Sequence, residues 1–269
     1  RQRLRTHIGP ALGDILLEDL TRRQVVRWVD GLRSRLAPRS VLHIYGTLRQ
    51  MMAAAVREGL IQVTPCTLVA GEELPRLEDA DPEWRHGAVY TREEVELLIS
   101  HPDIPEDRRL GYALMALGGL RWGEVAALRW RAYDQTAEPL GRLTVALALS
   151  DRRRKKDGDG IGRTKTGAVR QVPVHPTLAA LLAAWRLRTQ PSPDDLIITT
   201  EDGRPVTQPR AYRRLQGDLE RIGLRRRRLH DLRRTMISLA QADGAQPATL
   251  RWITHTPSRA DMIASYTTL

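Results

Sequence analysis

Gly118-Gly119-Leu120-Arg121-Trp122-Gly123-Glu124 is the stretch from which the rest of the chain can be read. Two adjacent glycines interrupt the helical pattern that runs up to Leu117, because each gives up more conformational freedom on ordering than any other residue. They free backbone groups beside the start of the next helix. Arg121 falls at that junction, and Glu124 follows three residues later on the same helical face. Arginine offers a planar, permanently charged fork suited to phosphate oxygens, and a helix start points N–H groups at an anion. An Arg–Glu pair of this spacing is, on its own, more often a surface salt bridge, so the weight rests on what surrounds it.

Working outward, Thr91 and Glu94 form a capping box, with Val95, Leu98 and Ile99 behind them at helical spacing. Downstream, Leu143 to Leu149 alternates apolar with small or polar residues and reads as a strand. A Gly-rich, strongly basic turn (151–163) follows, then a return strand around Val169, Val172 and Val174, which together predict a β-hairpin. Apart from a short extended run at Leu196–Thr199, the remainder reads as helix. Upstream, from about Leu68 to Val89, the periodicity fades and Glu72-Glu73, Pro75 and Asp81-Pro82 mark a linker. Ahead of it, Thr21 and Gln24 cap a helix carrying Val25, Trp28, Val29 and Leu32 on one face. A second helix is expected to open at Ser40, to bury Val41, Ile44, Tyr45, Leu48, Met52, Ala55 and Val56, and to stop at Gly59. These stripes are core packing, and any function of this region lies on the opposite faces, with Arg22, Arg23, Arg33, Arg35 and Arg39. The expected fold is mainly α with a small antiparallel β-sheet: a helical domain over 1–67, a linker over 68–89 and a second domain over 90–269.

The 269 residues carry a formal net charge of +11, which points to a polyanionic partner. Nucleic acid comes first and an anionic membrane surface second. No apolar run of transmembrane length and no signal peptide is visible, which weakens the membrane reading. The single cysteine, Cys66, cannot form an internal disulfide, in keeping with a reducing cytoplasm. Of the 43 Lys and Arg residues only Lys155, Lys156 and Lys165 are lysines. The codon bias of a GC-rich genome accounts for the arginine total but not for a lysine at 165. The absence of Phe has no physical account.

Three further segments offer groups that a phosphate would attract. Thr164-Lys165-Thr166 lies on the predicted hairpin ahead of Arg170-Gln171-Val172-Pro173. Lysine, unlike arginine, can lower its pKa enough to act as a general acid, although an exposed lysine is more often simply solvated or on a phosphate. In His230-Asp231-Leu232-Arg233-Arg234-Thr235 a helix puts His230 and Arg233 on one face and Arg234 elsewhere, after a basic run at Arg225–Arg228 suited to holding a backbone electrostatically. His-x-x-Arg arises often by chance. The last stretch holds His255 and Tyr266, with Pro257 between them, so Tyr266 is expected on a short separate segment from about Ala260. A tyrosine near a chain end is most often a packing residue, and its phenol, with a pKa of roughly 10, attacks only with help from a base or cationic field.

Each signal is weak alone, but their order resembles the catalytic set of the tyrosine recombinase (phage integrase) family: Arg with Glu three later, Lys on a hairpin, His-x-x-Arg, His, then Tyr. The strongest local matches are Gly-Leu-Arg-Trp-Gly-Glu at 119–124, Thr-Lys-Thr at 164–166 with Val-Pro at 172–173, and His-Asp-Leu-Arg-Arg-Thr at 230–235. Thr6-His7-Ile8-Gly9-Pro10, and Gly59-Leu60-Ile61 ahead of Thr64-Pro65, are similar to the family's core-binding domain. The likeness runs from about Ile8 to Tyr266. The sequence departs from the family pattern at Thr254, where glycine is usual, and at Met236, often aromatic. Only Thr267, Thr268 and Leu269 follow the tyrosine and no arm-site domain precedes the first module, so the expectation is a trimmed chain.

The resemblance implies a two-domain clamp on duplex DNA, formed by the core-binding domain and the catalytic domain, and site-specific recombination through a 3′-phosphotyrosyl intermediate at Tyr266. It implies that Arg121 and Arg233 neutralise the non-bridging oxygens, His255 adds a hydrogen bond, Lys165 protonates the leaving 5′-oxygen, His230 accepts the tyrosine proton or orients its neighbours, and Glu124 braces the site. Arg22, Arg23, Arg39, Arg163, Arg225, Arg226 and Arg227 are the expected DNA contacts. No metal, cofactor or ATP is expected. The partners are duplex DNA with specific recombination sites and three further copies in a homotetramer on synapsed DNA, a monomer in isolation being compatible. No membrane partner is expected, and the location is cytoplasmic, at the nucleoid. The rival readings are a non-cutting DNA-binding protein (a decayed integrase) and a type IB topoisomerase-like relaxing activity.

Overall fold

The computed structural model describes residues 2–77, 87–150, 159–164 and 167–254. The chain divides into two compact units, Arg1–Asp81 and Pro82–Leu269.

In the first unit a π-helical turn over Leu4–Ile8 runs into α1 (Gly9–Leu12), followed by α2 (Arg22–Arg33) and α3 (Pro38–Arg57). The Thr21 hydroxyl accepts from the Gln24 N–H, and the Gln24 side chain accepts from the Thr21 N–H, so the capping box forms as read. Helix α3 opens at Pro38, two residues before Ser40. Proline at the first helical position carries the required φ and lacks an N–H that would be orphaned there, so no polar cap is needed. The apolar stripes of α2 and α3 close on Ile8, Leu12 and Leu20 to make one core. Leu68 and Leu74, within the stretch rich in acid, Pro and Gly, are buried in that same core, and the Leu68 N–H donates to the Tyr45 hydroxyl at 3.0 Å. The Trp28 indole donates to the His7 carbonyl at 3.1 Å, fixing the N-terminal turn against α2.

The second unit begins with α4 (Arg92–Ser100), capped by the Thr91–Glu94 box, and α5 (Glu106–Ala116). Next come the short α6 (Trp122–Val125) and the strands β1 (Tyr133–Asp134), β2 (Arg142–Val145), β3 (Leu147–Leu149), β4 (Ile161–Arg163) and β5 (Arg170–Pro173). Four helices complete it: α7 (Pro176–Thr189), α8 (Gln208–Arg221), α9 (Leu229–Ala242) and α10 (Pro247–Thr254). The core is built round α5, whose residues Leu110 to Ala116 are all buried against the neighbouring helices and the sheet. The side of α8 facing it holds one buried charge: Asp218 accepts from the Tyr112 hydroxyl at 2.7 Å and from Arg108 at 2.8 Å. The run at Leu196–Thr199 is extended, bridging Arg129 and Pro205 without becoming a strand.

The hairpin is more broken than its sequence suggests. Strands β1, β2 and β5 form one antiparallel sheet in the order β1-β2-β5, and β3 and β4 a second pair. Val145 lies opposite Arg170 and Leu147 opposite Arg163, so the register of the pairing jumps on the two sides of Ala146. On the return side Thr164 Oγ1 donates to the Ala168 carbonyl at 3.0 Å and the Gly167 N–H to the Thr164 carbonyl at 2.9 Å. One expectation needs correcting. Residues 161–163 are a strand rather than part of the turn, because they continue the pairing beyond the break. Thr164, of the Thr-Lys-Thr motif, lies on the hairpin directly after β4. Lys165 itself lies outside the described residues, as does most of the 151–163 turn.

Candidate active site

The Gly118-Gly119 break is a tightly closed helix end. The Leu120 N–H returns to the Leu114 carbonyl at 3.3 Å and the Gly119 N–H to Met115 at 3.1 Å, with Gly119 in the left-handed region at φ +64°. A Cβ on Gly118 would stand 2.8 Å from the Leu114 carbonyl oxygen, and one on Gly119 3.0 Å from the Met236 side chain. Trp122 then anchors the next helix in the core through its indole bond to the Val206 carbonyl at 2.9 Å. A Cβ on Gly123 would meet the Leu149 carbonyl oxygen at 2.8 Å, so only glycine lets α6 lie this close to β3. The junction carrying Arg121 is thereby set beside the hairpin.

Glu124 is 3% exposed and fully bonded. It accepts from the Arg121 N–H at 2.7 Å and from Arg121 Nη1 at 3.1 Å. Arg170, from the first residue of β5, adds a two-pronged contact, Nη1 at 2.8 Å and Nη2 at 2.6 Å, while its Nε donates to the Ile253 carbonyl at 2.7 Å. Burial pushes the Glu124 carboxyl up, but the Arg170 fork, the Arg121 amide and the charge of Arg233 outweigh burial and hold it down to about 2. Arg121 keeps 44% of its side chain exposed, so its guanidinium is steered by Glu124 and still open to an incoming anion.

Helix α9 supplies the other wall. Its first turn is closed by the Asp231 carboxylate accepting from the Arg228 N–H at 2.8 Å. Arg233 is wholly buried and donates to the Gly119 and Thr254 carbonyls, joining the glycine break to the end of α10. Although part of its surface reaches solvent, His230 has its pKa lowered to about 4, by burial of the ring first and then by Arg233, Arg234 and Arg121. Its imidazole is therefore neutral at physiological pH and able to take a proton. Arg234 is buried and lies 3.8 Å from Asp231.

Of the expected site residues, the structure brings together Arg121, Glu124, His230 and Arg233. Lys165, His255 and Tyr266 lie outside the described residues. Sequence reasoning missed Arg170 as a member of the group. A signal was present: Arg170, Val172 and Val174 share one strand parity, and Val172 and Val174 are buried, so a charged residue was due on the inner face and needed a carboxylate. Of the expected DNA contacts in this unit, Arg163, Arg225 and Arg226 are exposed. Arg227 is a correction: it is 5% exposed, donates to both Glu94 oxygens at 3.1 and 2.9 Å, and lies 4.4 Å from the Tyr90 ring centre. A guanidinium so engaged is part of the core and does not reach a DNA backbone. In the first unit Arg23 and Arg39 are exposed, whereas Arg22 pairs with Glu73. Among the described residues no cluster of three or more His, Cys, Asp or Glu could hold a metal ion, and no helix is long and apolar enough to cross a membrane.

No family profile matches the chain. It is 29% identical over 245 residues to an integrase of Mycobacterium phage FRAT1, an alignment covering 90% of this chain and 69% of that protein. It is also 29% identical over 245 residues to the integrase of Mycobacterium phage D29, covering 90% of this chain and 61% of that one. The ICEBs1 integrase of Bacillus subtilis is 26% identical over 250 residues, covering 87% and 63%. The chain thus spans about two thirds of the length of these relatives. Among solved structures, the Tn1549 transposon integrase in complex with transposon right end DNA matches with a TM-score of 0.81 at 15% identity, over 100% of this chain and 87% of that one. A lambda integrase dimer bound to a COC′ core site matches at 0.71 and 17%, over 99% and 69%. The chain is thus similar in sequence to phage and mobile-element integrases and shares the fold of the Tn1549 and lambda integrases.

Proposed function

We propose that this protein cuts and rejoins duplex DNA at specific sites through a 3′-phosphotyrosyl intermediate. The observation that carries the reading is the convergence of Arg121, Glu124, His230 and Arg233, drawn from two separate segments onto one cationic cluster. Residues 90–269 form the catalytic domain and 1–67 the core-binding domain, with 68–89 as the linker. Tyr266 attacks the scissile phosphorus, the 5′-oxygen leaves as a hydroxyl, and the energy of the phosphodiester is kept in the tyrosyl ester for rejoining. Arg121 and Arg233 offset the charge that builds on the non-bridging oxygens, where fixed donors in a water-poor site contribute most. Arg233 has no exposed surface in this structure, so its contact with a phosphate requires a local opening. His255 adds a hydrogen bond to the same oxygens. Lys165 protonates the leaving oxygen, a step arginine cannot perform.

His230 takes the tyrosine proton. With a pKa near 4 it is a weak base, and a phosphate dianion-like transition state beside Arg121 and Arg233 strengthens it by offsetting their charge. The arginines supply the charge that a metal supplies elsewhere, and the sequence carries no P-loop pattern, so the reaction is proposed to need neither metal nor ATP. Exposed Arg23, Arg39, Arg163, Arg225 and Arg226 hold the DNA backbone. Recombination is proposed to run in a homotetramer on two synapsed duplexes, in the cytoplasm at the nucleoid.

The test is covalent capture from a pool of nicked random-sequence duplexes, with peptide mapping of the adduct. DNA joined to Tyr266, lost in Tyr266→Phe with duplex affinity retained, is the expected result. Salt-sensitive binding by folded protein without any adduct would overturn it in favour of a non-cutting DNA-binding protein, and relaxation of supercoiled DNA without strand exchange would favour a topoisomerase-like activity.

A further inference from the structure

We propose that Arg170 is a positioning residue that sets Arg121 through Glu124 and, with the third edge of the same guanidinium, ties the end of α10 to the site. The proposal rests on the recombinase reading for what Arg121 does to a phosphate, but the tie itself does not. Three observations carry it. All three nitrogens of Arg170 are committed: Nη1 and Nη2 to the two Glu124 oxygens at 2.8 and 2.6 Å, and Nε to the Ile253 carbonyl at 2.7 Å. Its side chain is only 12% exposed, so it is no candidate for a DNA backbone contact of its own. Glu124 in turn makes its remaining bonds to the backbone and side chain of Arg121.

The charges explain why an arginine is needed. Glu124 lies between two guanidiniums. With Arg170 present its negative charge is already met, and it orients Arg121 without cancelling it. Without Arg170 the full carboxylate charge falls on Arg121, which is then drawn inward and partly neutralised at the point where a phosphate has to be met. Lysine cannot reproduce the arrangement, because one ammonium cannot present a flat pair of donors to a carboxylate and a third donor to a carbonyl on the opposite side. The Ile253 bond extends the tie to the last turn of α10, which leads in sequence to His255. Arg170 thus links three parts of the chain that are distant in sequence: the glycine junction, the hairpin strand that follows Lys165, and the C-terminal helix.

The experiment compares Arg170→Met, Arg170→Lys, Glu124→Gln and the Arg170→Met/Glu124→Gln double variant in the full chain. Two readouts are taken. The first is the single-turnover rate of adduct formation on a duplex selected by the wild-type protein from the nicked random pool, alongside affinity for the same duplex. The second is hydrogen exchange of residues 247–254 in the free protein. Arg170→Met is expected to slow adduct formation about 100-fold at nearly unchanged affinity, the scale of effect that a small misplacement of a charged group produces. Arg170→Lys, which keeps the fold by keeping the charge, should fall between the two. The double variant should recover about tenfold over Arg170→Met, because removing the carboxylate releases Arg121. Exchange in 247–254 should accelerate in both Arg170 variants and stay near wild type in Glu124→Gln. Losses that simply add in the double variant overturn the action through Glu124, and unchanged exchange overturns the tie to α10. If wild-type protein captures no DNA, the recombinase reading fails and exchange alone decides the tie.

Discussion

Arginine dominates both units, and the two put it to different use. In the second unit Arg170, Arg227 and Arg233 are buried or nearly so, and each is bonded to a carboxylate or to backbone carbonyls. In the first unit the arginines lie on the surface, as Arg23 and Arg39 do, or pair while half exposed, as Arg22 does with Glu73. A buried guanidinium has to be met by fixed partners, because the cost of leaving it unmet is several kcal/mol, and it therefore fixes geometry. An exposed one is screened by water and salt, contributes little to folding and stays available for a polyanion. The same residue type thus fixes buried geometry in one region and stays on the surface in the other.

The sharpest way to break this contrast is Arg227→Met. If Arg227 is structural, the variant loses the Glu94 pair and the contact with Tyr90 and leaves the Glu94 carboxylate without its charge partner. A loss of about 4 kcal/mol in urea unfolding is expected, with DNA affinity per folded molecule unchanged. A normal stability with weakened DNA binding would instead return Arg227 to the DNA-contacting group.

Glu124→Gln sharpens the contrast through pH. The folded carboxyl titrates at about 2, below its ordinary value of about 4.5, so the carboxylate stabilises the fold at all pH values above about 4.5. That contribution is lost as pH falls from about 4.5 through about 2. Wild type should therefore exceed Glu124→Gln by about 3 kcal/mol at neutral pH, and the gap should close over that acid window. His230 acts in the opposite sense. Its lowered pKa means that the unfolded chain binds the proton first, so it costs stability as pH falls from about 6.5 to about 4. The variant comparison cancels that cost, since His230 is present in both proteins. A gap that stays constant down to pH 2 would show that Glu124 is not held ionised by Arg170 and Arg121.

Much of the frame was legible because it is local. The Thr21–Gln24 and Thr91–Glu94 boxes span three residues, and the buried stripe from Val41 to Ala55 repeats within one helix. The Gly119 turn was equally readable, since a left-handed residue after a helix is a property of a single position. What escaped depends on pairing across the chain. Arg170 meets Glu124 at a separation of 46 residues, and Arg227 meets Glu94 at 133. A run such as Arg225–Arg228 reads as uniform positive charge, yet its third member is turned inward while the first two face solvent. The hairpin's break was invisible for the same reason: nothing in Leu143–Leu149 says that the register of the pairing will jump at Ala146. Of the candidate site, Arg121 and Glu124 were legible from one junction, and His230 with Arg233 from one helix face.

The smallest expected effect lies in the first unit and tests its half of the contrast. Arg39 is exposed on the first turn of α3, and no ion pair involving it is present among the described residues. Arg39→Ala should leave urea unfolding unchanged, because no buried partner is orphaned. If Arg39 contacts a phosphate, the slope of log affinity against log salt should fall by about 1, and the loss should be similar for every duplex sequence tried, since a phosphate contact displaces counterions without reading bases. A loss confined to particular sequences would place Arg39 against base edges instead. No change in slope would remove it from the DNA-facing surface and leave that role in the first unit to Arg23, which the same titration can test.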